Sequence, residues 1–516
     1  MKKVLFTHSY FLEFDSKQKE QHQPYPPLAT IQAAGLLRSK DYEVALHDTM
    51  FAGSADELIE KLEKEQPDVL VIYDDGFNYL TKMCLTNMRE AAWEMAALAK
   101  RYGCFCIASS SDATDHSELY LQHDVDVVII GEAEQTLLEV LEASQHDANT
   151  FAGIPGLRYL QSSEMKQSMP RSVMRNLDAL PMPAWDLVAI EKYRAEWINH
   201  HGYFTLNMAT TRGCPFKCNW CAKPIYGNRY NSRSPQHVVR ELSYMKAQFD
   251  FDYIWFCDDI FGLKPGWVQE FAKEVKQAGL DFGFKIQSRA DLLCKDDTVE
   301  ALANAGCDEV WIGAESGSQK ILDAMDKGTQ LEQIYESCKK MKANGIKPAL
   351  FLQFGYPGEN KSDIQATIAM MLEIMPANIG VSVSYPLPGT AFYEKVKTEL
   401  SAKKNWTDSD ELLLMFKNAY PPAYYKRLHR YVHKRFRLKQ AFISCKELFS
   451  GNAAFFRAIF VAHLHFYFHF PKTMAKRSKI PKKRKFTSLP GVYSRSIILW
   501  YYARRKRTFS ELPTEK

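Results

Sequence analysis

The sequence predicts an α/β protein in which an open, doubly wound parallel sheet is followed by a partial (β/α)6 barrel and a basic, mainly helical extension. Two successive series of short apolar segments alternate with helical patterns, and this alternation ends near residue 400. The composition is that of an ordinary globular protein, with 46% hydrophobic and 25% charged residues, and 516 residues exceed what one core normally serves. We therefore predict domains at 1–150 and 201–400, a linker at 151–200 and an extension at 401–516.

The first series contains five β-rich segments separated by helical stretches, which predicts a parallel sheet with helices on both faces. Ligands of such sheets bind beyond the carboxyl ends of the strands. The loops there contain the candidate ligand-binding residues Pro27, Gly76, Ser109, Gly131 and Glu132, although small polar residues also form ordinary turns. The predicted strands are Lys3–Thr7, Tyr42–His47, Val69–Tyr73, Cys104–Ala108 and Val125–Ile130.

Residues 151–200 are predicted to be an irregular linker, because closely spaced prolines such as Pro181 and Pro183 oppose both helix and central strand. The second series then predicts six parallel strands of a partial barrel. Catalytic residues of barrels collect at the carboxyl ends of the strands. The predicted strands are Thr205–Thr211, Tyr253–Cys257, Phe284–Ser288, Glu309–Gly313, Ala349–Phe354 and Gly380–Tyr385.

The net charge of +5 conceals a division along the chain. Residues 401–516 contain 26 Lys and Arg against 6 Asp and Glu, so the extension carries +20 and the rest −15. Aromatic residues between Phe455 and Phe470 precede the basic runs Lys476–Lys485 and Arg504–Arg507. This pattern predicts peripheral contact with the inner face of a membrane. Helices packed on the barrel are an alternative, and nucleic-acid binding is a less favoured one.

The start of the sequence has too short an apolar run for a signal peptide, and no uncharged apolar stretch reaches the length of about 18 residues that a spanning helix needs. The 11 cysteines are mostly scattered, unlike the framework of a disulfide-rich secreted domain. We therefore expect a cytoplasmic protein.

The strongest chemical signal is a C-x3-C-x2-C cluster, formed by Cys214, Cys218 and Cys221, at the end of the first barrel strand. Structural zinc normally takes four ligands, and the cluster contains no fourth Cys or His at a suitable spacing. Three thiolates fit an iron–sulfur cluster better, with one iron left without a protein ligand. The flanking Gly, Pro and Lys indicate an exposed loop rather than three buried structural cysteines.

This loop resembles that of the radical S-adenosylmethionine enzymes, C-x3-C-x-aromatic-C, with Trp220 at the aromatic position. The resemblance implies a 4Fe-4S cluster on the three cysteines, whose open iron is chelated by the amino and carboxylate groups of S-adenosylmethionine. It implies a reductant protein such as flavodoxin or ferredoxin. It also implies a 5′-deoxyadenosyl radical that abstracts a hydrogen atom from a small-molecule substrate, so that the cofactors supply the difficult chemistry.

Further motifs at successive strand ends resemble segments of the same family. An acidic pair after the second strand resembles the segment near the amino group of S-adenosylmethionine, and a G-x-E-S-G segment follows the fourth strand. Each has an ordinary alternative as a helix cap, an ion pair or a turn, but together they favour a cofactor site. The candidate cofactor-binding residues here are Asp258, Asp259, Arg289, Glu315, Ser316, Gly355 and Gly358.

The N-terminal region resembles the cobalamin-binding members of this family, which include anaerobic magnesium-protoporphyrin monomethyl ester cyclases and cobalamin-dependent methylases. The resemblance rests on Pro24-x-Pro26-Pro27 before the first helix and on Gly131-Glu132-Ala133-Glu134 after the fifth strand. It implies a Rossmann-like domain that binds cobalamin. The D-x-H-x-x-G motif that supplies a histidine ligand to cobalt is absent, so no cobalt ligand is assigned, and a cofactor-free docking domain is the rival interpretation.

The leading hypothesis is a cobalamin-dependent radical enzyme that modifies an unactivated carbon of a small, apolar or polycyclic substrate, by methyl transfer or oxidative cyclisation. The alternative is a non-catalytic iron–sulfur or cobalamin-binding regulatory protein that docks on a membrane or nucleic acid. The alternative accounts for the basic extension but leaves the motifs at the strand ends without a role.

Overall fold

The computed structural model describes residues 2–450 apart from 75, 77–84, 144–147, 296, 401–402 and 404. The aromatic and basic segments on which the predicted membrane contact depends lie outside this range. No helix within it is long and apolar enough to span a membrane. The described chain forms two compact units, one of residues up to Thr367 with Pro376–Lys426, and one of Ile368–Met375 with the chain from Arg427.

Seven strands form the first sheet. They are β1 (Lys3–Thr7), β2 (Glu43–His47), β3 (Val69–Tyr73), β4 (Phe105–Ser109), β5 (Val127–Ile129), β6 (Leu157–Gln161) and β7 (Glu164–Gln167). Their order in the sheet is β2-β1-β3-β4-β5-β6-β7. The first five are parallel, which confirms the predicted doubly wound sheet. The central strand β3 is buried at all five positions because helices cover both faces.

Eight described helices accompany this sheet, and the longer ones bury apolar side chains. They are α1 (Ser16–Lys19), α2 (Leu28–Arg38), α3 (Leu58–Glu65), α4 (Thr86–Arg101), α5 (Ser111–Asp115), α6 (Ser117–Leu121), α7 (Glu134–Glu142) and α8 (Ala148–Ala152). Helix α4, for example, buries Met88, Ala92, Met95 and Ala99, which recur at the three- and four-residue spacing of a helix face.

Residues 151–200 differ from the irregular linker that their prolines predict. Strands β6 and β7 form a hairpin that extends the sheet antiparallel to β5, and α9 (Ile190–His201) follows. Pro155 and Pro170 lie outside the hairpin strands, where the missing N–H removes no hydrogen bond of the sheet. Ser162 and Ser163 have φ angles of 51° and 65°, which is the backbone that a two-residue hairpin turn requires.

The second sheet is built from the strands that follow α9. These strands are β8 (Thr205–Met208), β9 (Thr211–Arg212), β10 (Asn231–Ser232), β11 (Tyr253–Phe256), β12 (Gly283–Ser288), β13 (Cys307–Glu315), β14 (Lys347–Phe354) and β15 (Asn378–Val383). Six of them are parallel, in the order β15-β14-β13-β12-β11-β8, and confirm the predicted partial barrel. A separate antiparallel ladder pairs β9 with β10.

Helices follow these strands in the order expected of βα units. They are α10 (Pro235–Phe249), α11 (Trp267–Gln277), α12 (Ala290–Leu293), α13 (Thr298–Asn304), α14 (Gln319–Ala324), α15 (Leu331–Ala343), α16 (Lys361–Ile374), α17 (Ala391–Val396) and the long α18 (Pro422–Ser450).

The first barrel strand is shorter than predicted and ends at Met208 instead of Thr211. The carboxylate of Asp258, which follows β11, accepts hydrogen bonds from the backbone N–H groups of Thr210 and Thr211 at 2.7 and 2.8 Å. Because these donors are committed to a side chain, the chain leaves the sheet here and turns toward β9.

A buried arginine joins the two sheets. The guanidinium of Arg212, in β9, donates to the carboxylates of Glu132 and Glu134, which lie after β5. The three side chains are 5%, 6% and 1% exposed. The three charged side chains hold one another in place, because moving any one of them away would leave a buried charge without a partner.

We expect Arg212→Met to destabilise the protein by about 3 kcal/mol, because two carboxylates would remain buried without their cation. The measurement is urea unfolding monitored by circular dichroism. The matched control is Arg38→Met, which breaks an ion pair with Asp186 whose side chains are 41% and 61% exposed, and should cost less than about 1 kcal/mol. Equal losses in both variants would contradict a joint held by buried charge.

Candidate active site

The three cysteines follow β9 on a loop whose geometry requires a glycine. Gly213 has a φ of 80°, and a Cβ atom there would lie 2.2 Å from the carbonyl oxygen of Arg229. Cys214 is buried, Cys218 and Cys221 are half-buried, and within the described chain none of them forms a disulfide. Three thiols on one partly open loop are a donor set suited to an iron–sulfur cluster.

Asn219 anchors the loop between the second and third cysteines. Its side-chain amide donates to the carbonyl oxygen of Ala324 and to the carboxylate of Asp326, both at 2.8 Å, while its side-chain oxygen accepts from the Tyr356 hydroxyl at 2.8 Å. Its backbone N–H donates to Met325 at 3.0 Å. Sequence reasoning missed Asn219 because it occupies a variable position of the motif, and only the fold brings its partners to it.

The structure separates the two members of the predicted acidic pair. Asp258 is fully buried, and burial raises its pKa to about 6 against the opposing hydrogen bonds from Thr210 and Thr211. It therefore positions the chain before the cysteine loop. Asp259 is exposed. Burial raises the pKa of the Cys214 thiol, the Phe216 N–H and the Lys223 charge oppose this, and the Asp259 charge makes a smaller contribution that raises it. Of the two carboxylates, that of Asp259 is the one that solvent can reach.

Arg289, which follows β12, packs on the cysteine loop. Its guanidinium lies 3.7 Å from the centre of the Phe216 ring, while its Nε donates to Asp291 at 2.9 Å and an Nη to the Thr329 hydroxyl at 3.1 Å. A cation stacked on a ring holds that ring in one plane. Arg289 thus supports the loop. Its ion pair with Asp291 agrees with the interpretation of Arg289 as an ion-paired residue rather than as a cofactor ligand.

Glu315 and Ser316 are both buried and already have protein partners. The Glu315 carboxylate pairs with the Lys327 ammonium at 2.8 Å, and that ammonium lies 6.0 Å from the Trp220 ring of the cysteine motif. The Ser316 hydroxyl lies 3.1 Å from that of Thr367. Glu315 therefore contacts the cysteine loop indirectly, through the Lys327 ammonium that lies near Trp220.

The two glycines after β14 have different surroundings. Gly355 has a φ of 82°, and a Cβ atom there would lie 3.1 Å from the ring of Tyr425, so the backbone passes close to the start of α18. Its N–H donates to the Glu359 carboxylate at 2.7 Å. Gly358 has a φ of 86°, and a Cβ atom there would have no described neighbour within 4 Å, so its requirement for glycine is conformational.

Two predicted glycines of the first sheet face the barrel loop that follows the cysteines. A Cβ atom at Gly76 would lie 3.6 Å from the Ile225 side chain, and one at Gly131 would lie 3.4 Å from the Ile225 carbonyl oxygen. The carboxyl edge of the first sheet therefore meets the cysteine-loop region of the second.

The other predicted residues at this edge have structural partners. The Pro27 carbonyl accepts from Ile31 in the first turn of α2, the Ser109 carbonyl accepts from Asp74, and Glu132 is committed to Arg212. The Ser111 hydroxyl is buried and has no hydrogen-bond partner among the described residues.

The segment 405–416 crosses from the barrel to the first sheet. The Tyr385 hydroxyl, just after β15, accepts from the side chain of Asn405 and the backbone of Trp406, each at 3.1 Å. The Trp406 carbonyl accepts from Thr86 at 2.9 Å, and the Ser409 hydroxyl donates to Asp15 at 2.8 Å. The start of the predicted extension is thus held by residues of both sheets.

Comparison with known proteins identifies the domain that carries the cysteines. Residues 208–371 match the family model described as the Radical SAM superfamily. An uncharacterized methyltransferase of Pyrococcus horikoshii is 27% identical over 388 residues, which are 74% of this chain and 81% of the relative. An anaerobic magnesium-protoporphyrin IX monomethyl ester cyclase of Cereibacter sphaeroides is 24% identical over 281 residues, or 54% of this chain and 45% of the relative.

Two solved proteins share the fold. The radical S-adenosylmethionine methyltransferase TsrM from Kitasatospora setae, with cobalamin and a 4Fe-4S cluster bound, superposes with a TM-score of 0.63 at 18% identity over 83% of this chain and 81% of that chain. The cobalamin-dependent S-adenosylmethionine radical enzyme OxsB gives a TM-score of 0.61 at 17% identity over 77% and 55% of the two chains.

The partial barrel with its three-cysteine loop is therefore a radical S-adenosylmethionine domain. This domain implies a 4Fe-4S cluster and S-adenosylmethionine as cofactors.

Glu359, which binds the backbone N–H of Gly355, should make stability depend on pH. Burial raises its pKa from 4.5 to about 8, although the Gly355 N–H opposes this. The stability contributed by the protonated form is therefore complete below about pH 4.5 and is lost as the pH rises through about 8. We expect urea midpoints of the wild type, relative to those of Glu359→Gln, to fall between pH 5 and pH 8.

The control for this measurement is Glu394→Gln, at a side chain that is 56% exposed, which should keep the wild-type pH profile. A Glu359→Gln variant with the same pH profile as the wild type would contradict the assignment.

Proposed function

We propose that this chain is a cobalamin-dependent radical S-adenosylmethionine enzyme that modifies an unactivated carbon of a small, apolar or polycyclic molecule. The observation that carries the proposal is the three-cysteine loop at the carboxyl ends of the barrel strands, braced by Asn219, Arg289 and Lys327 through contacts with neighbouring loops. A loop fixed on several sides holds its ligands in one geometry, which a reactive metal centre requires.

Within this proposal, Cys214, Cys218 and Cys221 hold the 4Fe-4S cluster. When bound, the cluster supplies the electron for reductive cleavage of S-adenosylmethionine. The exposed carboxylate of Asp259 lies beside the first cysteine, where it can accept a hydrogen bond from the amino group of S-adenosylmethionine. Asn219 and Arg289 act as positioning residues, because Asn219 ties the loop to Ala324 and Tyr356, and Arg289 stacks on Phe216 of the loop.

Cobalamin is the second cofactor of the proposal. The fold shared with TsrM and OxsB supports it, as both names describe cobalamin-binding proteins. Gly76 and Gly131 lie at the carboxyl edge of the first sheet, where ligands of doubly wound sheets bind, and both face Ile225 of the cysteine-loop region. The Ser111 hydroxyl, which has no hydrogen-bond partner among the described residues, supplies a polar group at the same edge.

Methyl transfer and oxidative cyclisation both remain within this proposal, since the relatives include proteins named for each. Products formed with methyl-labelled S-adenosylmethionine separate the two reactions. A labelled product indicates methyl transfer, whereas an unlabelled product formed together with 5′-deoxyadenosine indicates cyclisation or rearrangement.

The first test is reductive cleavage. We expect the anaerobically reconstituted wild type with dithionite to release 5′-deoxyadenosine, and Cys214→Ala, Cys218→Ala and Cys221→Ala to lose at least about 99% of this activity, because a cluster needs all three thiolates. The readout is chromatography of 5′-deoxyadenosine together with iron content.

The matched control is Cys294→Ala, which removes a half-buried thiol of the barrel region outside the motif and should retain cleavage. Cleavage that persists in the motif variants would refute the cluster assignment, and a wild type that binds iron without cleavage would favour the non-catalytic regulatory protein.

The second test is cobalamin binding. We expect the full-length chain to bind one hydroxocobalamin, seen as a saturable change in the visible absorbance of cobalamin after gel filtration. The Cys214→Ala variant should bind equally well, since the proposed cobalamin edge belongs to the other sheet. Absence of a stoichiometric complex in both proteins would remove cobalamin from the proposal.

A further inference from the structure

The two faces of the barrel sheet are buried to different extents. Along β12, Phe284, Ile286 and Ser288 are buried while Lys285 and Gln287 are half-buried, and the alternation repeats in β11, β13 and β15. Residues paired across parallel strands project from the same face. The helices therefore cover one face completely, and the other, concave face lines a space that remains partly accessible.

Aromatic rings line this concave face. Trp255 in β11 aligns with Lys285, and Trp311 in β13 aligns with Gln287. The Trp311 and Phe351 rings are 4.6 Å apart at an angle of 31°. A Cβ atom at Gly380 would lie 2.9 Å from the Phe351 ring and 3.2 Å from that of Trp311, so the glycine allows these rings to lie flat against the sheet.

The N-terminal strap, which we define as residues 22–27, adds a further ring to this space. Its backbone is fixed by bonds from the Trp197 indole to the Pro24 carbonyl at 2.8 Å and from the Asn207 amide to the Pro26 carbonyl at 3.0 Å. Between these two anchors, the Tyr25 ring lies 4.7 Å from that of Trp255. Its hydroxyl is buried and has no hydrogen-bond partner in the part of the chain that the structure describes.

Lys285 brings a positive charge into these aromatic surroundings. Its ammonium lies 5.5 Å from the Trp255 ring centre and 5.6 Å from that of Tyr25. Among the described residues it has no ion pair and no hydrogen bond. The nearby carboxylate of Glu309 instead accepts from the Trp311 indole at 2.6 Å. Burial lowers the pKa of Lys285, although the Glu309 charge opposes this.

Lys285 is a cation without an ion-pair partner among the described carboxylates, and it lies on a partly accessible aromatic surface. Such a site suits an anionic ligand whose remaining part is flat and apolar. Lys285 precedes Gln287 by two residues in β12, so it lies about 7 Å farther from the carboxyl ends of the barrel strands. These ends form the mouth of the barrel, where the cysteine loop lies. A ligand held there by one end extends its other end toward that mouth.

We propose that Lys285 binds a carboxylate of the substrate, and that the substrate is a planar aromatic acid whose ring system lies against Trp255 and Trp311. This proposal rests on the proposed function, since it places the substrate of the radical domain. The Tyr25 hydroxyl is placed to donate a second hydrogen bond to the same carboxylate.

The test compares a flat aromatic acid with its neutral isostere. With the cluster-loaded, full-length protein, isothermal titration should show that 2-naphthoate binds at least about tenfold more tightly than 2-naphthamide, because only the acid gains a charged hydrogen bond. Lys285→Met should abolish this preference while leaving the affinity for the amide within about threefold of the wild type.

The matched control is Lys347→Met, which removes the same charge from the neighbouring region of the sheet, in β14, but at a side chain that is 58% exposed and paired with Asp308. This variant should keep the preference for the acid. Equal affinity for acid and amide in the wild type would overturn the proposal whether or not Lys285→Met folds, as would a preference that survives in Lys285→Met.

Release of 5′-deoxyadenosine, measured on the same wild-type sample, keeps this proposal distinct from the proposed function. Cleavage without a preference for the acid contradicts the lysine anchor alone. A preference for the acid in a protein that does not cleave S-adenosylmethionine contradicts the radical function and leaves an aromatic-acid binding site.

Discussion

The ion group of Arg212, Glu132 and Glu134 is the interaction on which the rest of the site depends. It joins Arg212, just before the cysteine loop, to Glu132 and Glu134 after β5, so one buried cation ties the carboxyl edge of the first sheet to the start of the cysteine loop. A hydrophobic contact there would tolerate sliding between the sheets. Paired buried charges do not, because displacement leaves each of them without a partner in a medium of low polarity. The buried ion pairs thus fix the relative position of the two sheet edges.

The cysteine loop is fixed by polar groups that face away from its open side. Asp258 holds the chain before the loop, and Asn219 and Arg289 hold its middle. None of these contacts involves the thiols, so the loop is held in place independently of any ligand that the cysteines bind. Several side chains that resemble cofactor ligands in the sequence, such as Arg289 and Glu315, are instead bonded to protein groups around the cysteine loop.

Much of the fold follows from the sequence, and the reasons are local. The strands of both sheets are marked by runs of buried β-branched and aromatic residues, and the cysteines by a spacing that chance seldom produces. The loop sequence around Glu132 predicts ligand binding, but in the structure Glu132 pairs with Arg212. The local sequence carries no information about an arginine that is distant in the chain. Asn219 and Lys285 escape sequence reasoning for the same reason. Only the fold brings Ala324 and Tyr356 to Asn219, and the rings of Tyr25 and Trp255 to Lys285. Sequence reasoning also misses the hairpin of β6 and β7, because prolines show where a strand is unfavourable but not which structure the residues between two prolines form.

The N-terminal strap belongs by sequence to the first domain, yet its tyrosine forms part of the wall of the space inside the second. The barrel therefore does not possess a complete chamber of its own. A barrel joined to a different first domain would lose this side of the space. Under the proposed anchoring of an aromatic acid, substitutions in residues 22–27 would change substrate specificity, although these residues are far along the chain from the cysteines and in a different domain.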